Sequence, residues 1–190
     1  MRRIGFVFTA ALFGLPAVLI VPVKSDAQSV GQSVKITALE AFAQRFEGKL
    51  GQTPGPFGFQ VLSTAPAIYV QGVGAVLSSV VSLSYIDQPS PFREPFTPKE
   101  LATFRQRKVD RVPLLEQNMR EVMAETAAAG DIDPVPPNER IVLGVTLFYF
   151  KWEDSSGLPR QIIMSAEKQK LLQARRTKVD LATVIQEQKL

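Results

Sequence analysis

The sequence contains no cysteine and no histidine, and each absence excludes a class of function. Without cysteine there is no disulfide, no thiolate nucleophile and no zinc–cysteine centre. Without histidine there is no Ser–His–Asp or Cys–His catalytic pair and no imidazole ligand for a metal. An enzyme with this composition would depend on carboxylates, a Ser–Lys pair, tyrosine or arginine. We therefore expect a protein that is not an enzyme and that uses no cofactor and no metal.

Charge is also missing near the N-terminus, where residues 5–23 carry none and are mostly apolar. Two arginines precede this run and a lysine ends it. A short basic region, an apolar run and small residues before a cut are the layout of a secretory signal peptide. We predict that residues 1–27 are this signal peptide, that cleavage falls between Ala27 and Gln28, and that the product is periplasmic or secreted. Because the chain has no cysteine, it cannot be lipidated at an N-terminal cysteine as a lipoprotein is.

The alternative is an uncleaved anchor, because the 19 uncharged residues approach the length that spans a bilayer. Pro16 and Pro22 argue against a straight spanning helix. In this alternative the protein is tethered to the membrane and faces outside. We expect contact with a membrane only through the leader, and only if the leader is uncleaved.

Removal of the leader changes the charge balance. The chain has 22 basic and 18 acidic residues. Three of the basic residues and one of the acidic residues lie in the leader, so the remaining 163 residues carry a net charge of +2. So small a charge does not indicate a polyanion-binding protein, and we expect no nucleic acid partner. We expect one domain over residues 28–190, large enough to bury a core without disulfides.

Three segments have helical patterns. Apolar residues recur every three or four positions over residues 33–50, which predicts a helix with one face on a core. Thr97-Pro98-Lys99-Glu100 is a capping box with proline at the first helical position. It begins a long helix that we expect either to kink at Pro113 or to divide there into two abutting helices, and to end at Gly130. Residues 166–190 have the composition of a terminal helix, which either docks on the domain or projects from it.

The strands lie between these helices. Apolar and β-branched residues predict strands near residues 59–62, 67–70 and 75–86, followed by a hairpin over 141–152 and 158–165. The expected fold is therefore α+β, with a mostly antiparallel sheet of four or five strands. The long kinked helix and the terminal helices pack on one face of this sheet.

Few residues have the spacing of a catalytic site. Ser165-Ala-Glu-Lys168 has the spacing of a serine–lysine acyl enzyme, although Ser165 also suits the N-cap of the terminal helix. Acidic pairs at positions 131/133 and 153/154 lie in predicted turns, where carboxylates commonly bond the local backbone. Gly72-Val-Gly74 lacks the remainder of a dinucleotide fingerprint and predicts a bend between strands.

Two features predict a partner surface. Phe148, Phe150 and Trp152 lie at the aromatic end of a strand, and Arg175 and Arg176 lie in the basic terminal segment. We expect an exported, non-enzymatic binding or assembly protein whose partner is an unknown protein or envelope component. The alternatives are the membrane-tethered envelope protein and a hydrolase based on carboxylates or a Ser–Lys pair.

Overall fold

The computed structural model describes residues 34–53, 58–84, 96–130 and 132–190. These ranges belong to one compact unit, Gln32–Leu190. The predicted signal peptide and its cleavage site at Ala27 and Gln28 lie outside the described residues.

The described ranges contain three helices, six strands and one short 3-10 turn. In chain order they are α1 (Ile36–Gly51), β1 (Gln60–Thr64), β2 (Ile68–Val70), β3 (Gly74–Ser82), α2 (Pro98–Ala128), β4 (Arg140–Leu147), β5 (Gln161–Glu167), α3 (Lys168–Thr177), the 3-10 turn (Leu181–Thr183) and β6 (Gln186–Lys189).

All six strands form one sheet. The strand order is β1-β3-β4-β5-β6, and β2 also pairs with β3. Only β3 and β4 are parallel among these pairs, and the other four pairings are antiparallel. β3 and β4 can be parallel because α2 connects them and returns the chain to the end of the sheet at which β3 began. The predicted α+β class with a mostly antiparallel sheet is confirmed.

The helices cover one face of this sheet. Alternate side chains of the central strands, such as Leu77 and Leu143, are fully buried against Phe42 of α1 and Met119 of α2. The intervening side chains of β3, β4 and β5 are partly exposed on the opposite face. This alternation is the period-two pattern of a strand with a single covered face.

The long helix begins at the predicted capping box. The Glu100 N–H donates to Thr97 Oγ1 at 3.3 Å, and the Thr97 N–H donates to Glu100 Oε2 at 2.8 Å. Pro113 lies inside a single helix that continues to Ala128. Gly130 follows the C-cap residue with a φ of +74°, the left-handed conformation that glycine adopts most readily.

The C-terminal segment differs from the predicted terminal helix over residues 166–190. β5 continues to Glu167, α3 ends at Thr177, and Lys178 adopts a left-handed φ of 55°. The chain then returns as β6 along β5, and the Leu190 N–H donates to the Gln161 carbonyl at 3.0 Å. The tail is therefore docked, and β6 is a sixth strand where four or five were expected.

Salt bridges between β6 and α2 accompany this docking. Arg120 Nη2 lies 2.6 Å from Glu187 Oε2, and Lys189 Nζ lies 2.6 Å from Glu116 Oε1. Burial of Glu187 opposes its ionisation, but the hydrogen bonds from Arg120 and Lys189 outweigh this effect and lower its pKa. The polar residues of β6 are therefore held by charges on a helix that is distant in sequence.

Candidate docking surface

Five aromatic side chains form a continuous surface that we call the aromatic ridge: Phe96, Phe104, Phe148, Phe150 and Trp152. The rings of Phe148 and Phe150 meet edge to face with centroids 5.0 Å apart. Phe150 and Trp152 stack with centroids 5.4 Å apart and planes 10° apart. Phe96 contacts both Trp152, at 4.9 Å, and Phe104, at 5.1 Å. These separations are typical of favourable aromatic pairs.

Two distant segments supply the ridge. Phe148, Phe150 and Trp152 follow the last residue of β4, where the Phe148 N–H still donates to the Val81 carbonyl at 2.9 Å. Phe96 precedes α2, and Phe104 lies in its second turn. Phe148 is 37% exposed and the other four side chains are half-buried. The ridge therefore presents apolar ring surface to solvent.

A buried ion pair supports the ridge from below. Lys108 Nζ lies 2.5 Å from Glu153 Oε2, and their side chains are only 2% and 5% exposed. The same carboxylate oxygen accepts the Phe150 N–H at 3.0 Å. The ammonium also lies 5.1 Å from the centre of the Tyr149 ring, within the range of a cation–π contact. The turn that carries Phe150 and Trp152 is thus fixed by a charge on α2.

Tyr149 reflects the same buried environment. Its hydroxyl donates to the Pro159 carbonyl at 2.8 Å. Burial first, and then the negative charge of Glu153, raise the pKa of Tyr149 to about 12. A phenol in this setting stays protonated at neutral pH and acts as a structural donor.

One small cavity lies beside the ridge, and it is too small for a small-molecule ligand. The cavity among Leu101, Phe104, Lys108 and Trp152 measures about 10 Å³. Small-molecule sites have volumes of about 300–1,000 Å³. The ridge is therefore suited to contact with a larger surface.

Three basic residues lie beside the ridge. Lys151 is exposed between Phe150 and Trp152. The Arg107 guanidinium lies 5.9 Å from the centre of the Phe104 ring. Arg105 is paired with an exposed acid, because its Nε lies 3.2 Å from Asp154 Oδ2.

The structure separates the two parts of the predicted partner surface. Phe148, Phe150 and Trp152 belong to the ridge, but Arg175 and Arg176 are exposed in the last turn of α3. That turn lines a groove with Glu121 and Glu125 of α2. Glu121 is 17 residues beyond Phe104 in the same helix, or about 25 Å along its axis. The arginines therefore belong to a different surface.

The predicted serine–lysine pair is not assembled. Ser165 Oγ accepts a hydrogen bond from Arg140 Nη2 at 2.9 Å. Lys168 Nζ instead donates to the carbonyls of Ile132 at 2.8 Å and Val135 at 3.0 Å. The alternative interpretation of Ser165 as an N-cap is also wrong, because Ser165 lies within β5 and Glu167 occupies the cap position.

The acidic residues that the structure describes do not form a catalytic pair. Glu153 and Asp154 contact different bases, Lys108 and Arg105. In the other pair, Asp131 lies outside the described residues and Asp133 is exposed. Within the described ranges, no cluster of three or more acidic side chains is placed to hold a metal ion.

Gly72 and Gly74 form the bend between β2 and β3, as predicted. Their φ angles are +81° and +123°. The Gly72 N–H donates to Glu139 Oε1 at 2.9 Å. The Gly72 N–H, which a bound phosphate would need as a donor, is therefore already bonded to the Glu139 carboxylate.

The buried ion pair was not expected from the sequence. Lysine is a residue type that usually lies at the surface, but the Lys108 side chain is buried. The sequence does indicate that Lys108 is buried, because position 108 continues the apolar stripe of α2 that contains Phe104 and Val112. A charged residue at a core position requires a buried partner of opposite charge.

Comparisons with protein-family models, curated proteins and solved structures find no match to this chain. A search of the described helices finds none that is both long and apolar enough to cross a membrane.

Proposed function

We propose that this chain is an exported, non-enzymatic binding or assembly protein that docks to a component of the cell envelope through the aromatic ridge. The proposal rests on the continuity of the ridge. Five rings from two segments form one partly exposed surface above the Lys108–Glu153 pair. Contiguous exposed apolar surface marks interaction sites, and a fixed surface binds without a large ordering cost.

The positions of the candidate catalytic groups favour binding over hydrolysis. Ser165, Lys168 and Glu153 each bond a structural partner. None of the three faces another in a shared cleft, which a nucleophile and its base require. Binding is therefore the function that the described surface supports best.

Export is tested by the mass of the product recovered outside the cytoplasm. Cleavage as proposed gives a chain that begins at Gln28. A mass that begins at Met1 would show that the leader is kept as an anchor, and the protein would then be a membrane-tethered envelope protein.

Docking is tested by photo-crosslinking in exporting cells. The variant Phe148→p-benzoylphenylalanine places a reactive group on the ridge, and Gln173→p-benzoylphenylalanine on the exposed face of α3 is the matched control. We expect a specific adduct at position 148 and none at 173, with mass spectrometry showing whether it contains protein or lipid. Equal labelling at both positions, or none at 148, would contradict docking through the ridge.

A further inference from the structure

We infer that the component that the ridge contacts is the surface of an anionic phospholipid bilayer. This inference rests on the proposed function, because it names the partner of the same ridge. Three features support it: the packing of the rings, the charges beside them and the rigidity of the turn beneath them.

The rings are packed in a way that favours a deformable partner. Phe150 and Trp152 stack on each other, and Phe96 packs against Trp152. Aromatic-lined grooves that bind proline-rich segments present open ring faces. Here each ring contacts at least one other ring of the ridge, and the cavity beside Phe104 and Trp152 measures only about 10 Å³. The boundary between headgroups and acyl chains needs no matching shape, and tryptophan, which the ridge has at position 152, concentrates there.

The charges beside the ridge match an anionic surface. Among the described residues, the charged positions within four of a ridge aromatic are Lys99, Glu100, Arg105, Arg107, Lys108, Lys151, Glu153 and Asp154. Glu153 and Asp154 are paired with Lys108 and Arg105, and Glu100 accepts the N–H and the hydroxyl of Thr97. Lys99 and Lys151 are exposed. Long basic side chains can reach headgroups while neighbouring rings enter the interface.

The turn beneath the rings is already ordered. Glu153 Oε2 accepts both the Lys108 ammonium and the Phe150 N–H. The Tyr149 hydroxyl is bonded to the Pro159 carbonyl. Because these groups hold the turn in the free protein, insertion does not require the turn to be ordered first.

The fluorescence of Trp152 can report contact between the ridge and a bilayer. Trp152 is the only tryptophan in the sequence, and it lies in the ridge. We propose to add vesicles of neutral phosphatidylcholine, or of equal parts phosphatidylcholine and phosphatidylglycerol, to the exported protein and to record tryptophan emission. We expect a blue shift with the anionic vesicles that weakens as salt rises. An uncleaved leader would also bind vesicles, but only entry of the ridge changes the environment of Trp152.

Matched variants separate charge from apolar insertion. Lys151→Glu reverses one exposed charge and should weaken binding to anionic vesicles by about 25-fold, or about fivefold for each unit of charge. Phe148→Ala should weaken binding by about fivefold through loss of apolar surface. The controls are Arg175→Glu, which makes the same charge change on α3, and Ile68→Ala, which removes a 53% exposed apolar side chain from β2. Both controls should bind as the parent does.

The results separate this inference from the proposed function. No blue shift with anionic vesicles, or equal binding of parent and Lys151→Glu, would overturn the lipid assignment. If the crosslinker at position 148 then captured a protein, docking through the ridge would stand with a protein partner. If neither the vesicles nor the crosslinker reported contact, the lipid assignment and the proposed docking through the ridge would both be refuted.

Discussion

The buried Lys108–Glu153 pair provides the sharpest test of how the ridge is held. We predict that Lys108→Met lowers the free energy of unfolding by about 3–5 kcal/mol, which is typical when one partner of a buried ion pair is removed. The methionine occupies a similar volume, so the main effect is electrostatic. Glu153 would keep the Phe150 N–H as a donor, but its carboxylate would remain buried without its counter-charge.

This loss is large compared with the stability of an ordinary domain, which is about 5–15 kcal/mol. For a domain of this size, each 1 kcal/mol corresponds to roughly 2–4 °C in Tm. We therefore expect Tm to fall by about 10 °C. The measurement is urea unfolding followed both by Trp152 emission, next to the pair, and by far-ultraviolet circular dichroism.

A second variant distinguishes charge from packing. Lys108→Met combined with Glu153→Gln removes both charges and keeps an amide oxygen that can accept the Phe150 N–H. It should recover most of the loss, because neutral replacements of a buried ion pair are often tolerated. Lys99→Met, at an exposed position of the same helix, should change stability by less than about 0.5 kcal/mol. A loss below about 1 kcal/mol for Lys108→Met, or no recovery in the double variant, would refute this account.

Further predictions concern the buried Lys168, two glycines and Tyr149. Lys168→Met should lower the free energy of unfolding by about 3 kcal/mol in urea titrations, because its ammonium donates to three carbonyls. Gly74→Ala should destabilise by more than about 3 kcal/mol, since an added Cβ would lie 1.8 Å from the Arg140 carbonyl oxygen at a φ of +123°. Gly48→Ala, in open space on α1, should instead stabilise by about 0.5–1 kcal/mol in the same assay. Because burial raises the pKa of Tyr149 to about 12, its contribution to stability should be complete below pH 10 and lost as the pH rises through 12. Tyr149→Phe should flatten that part of the stability profile.

Part of the candidate site followed from the sequence. The sequence alone indicates Phe148, Phe150 and Trp152, because four aromatics in five positions at a strand end are visible locally. The contribution of Phe96 and Phe104 was missed, because these rings are about fifty residues away in sequence. The pairing of Lys108 with Glu153 was missed for the same reason. Arg175 and Arg176 were grouped with the aromatics by composition, although α2 separates them.

The sequence by itself determined the features that depend on neighbouring residues. The capping box at Thr97 and Glu100 uses groups three positions apart, and the glycine bend at residues 72–74 uses the freedom of its own backbone. The apolar periods of α1 and β4 likewise repeat within a few residues. Such features form from local sterics and hydrogen bonds, so they can be read directly from the chain.

Only the tertiary structure decided the features that join distant segments. Gln186–Lys189 has no apolar pattern of its own, and it becomes a strand because β5 offers an edge and α2 offers opposite charges. Lys108 is buried because Glu153 meets it from another element. The ridge exists because the end of β4 and the start of α2 are brought together. Burial and pairing depend on neighbours that the fold supplies, and the local sequence cannot specify those neighbours.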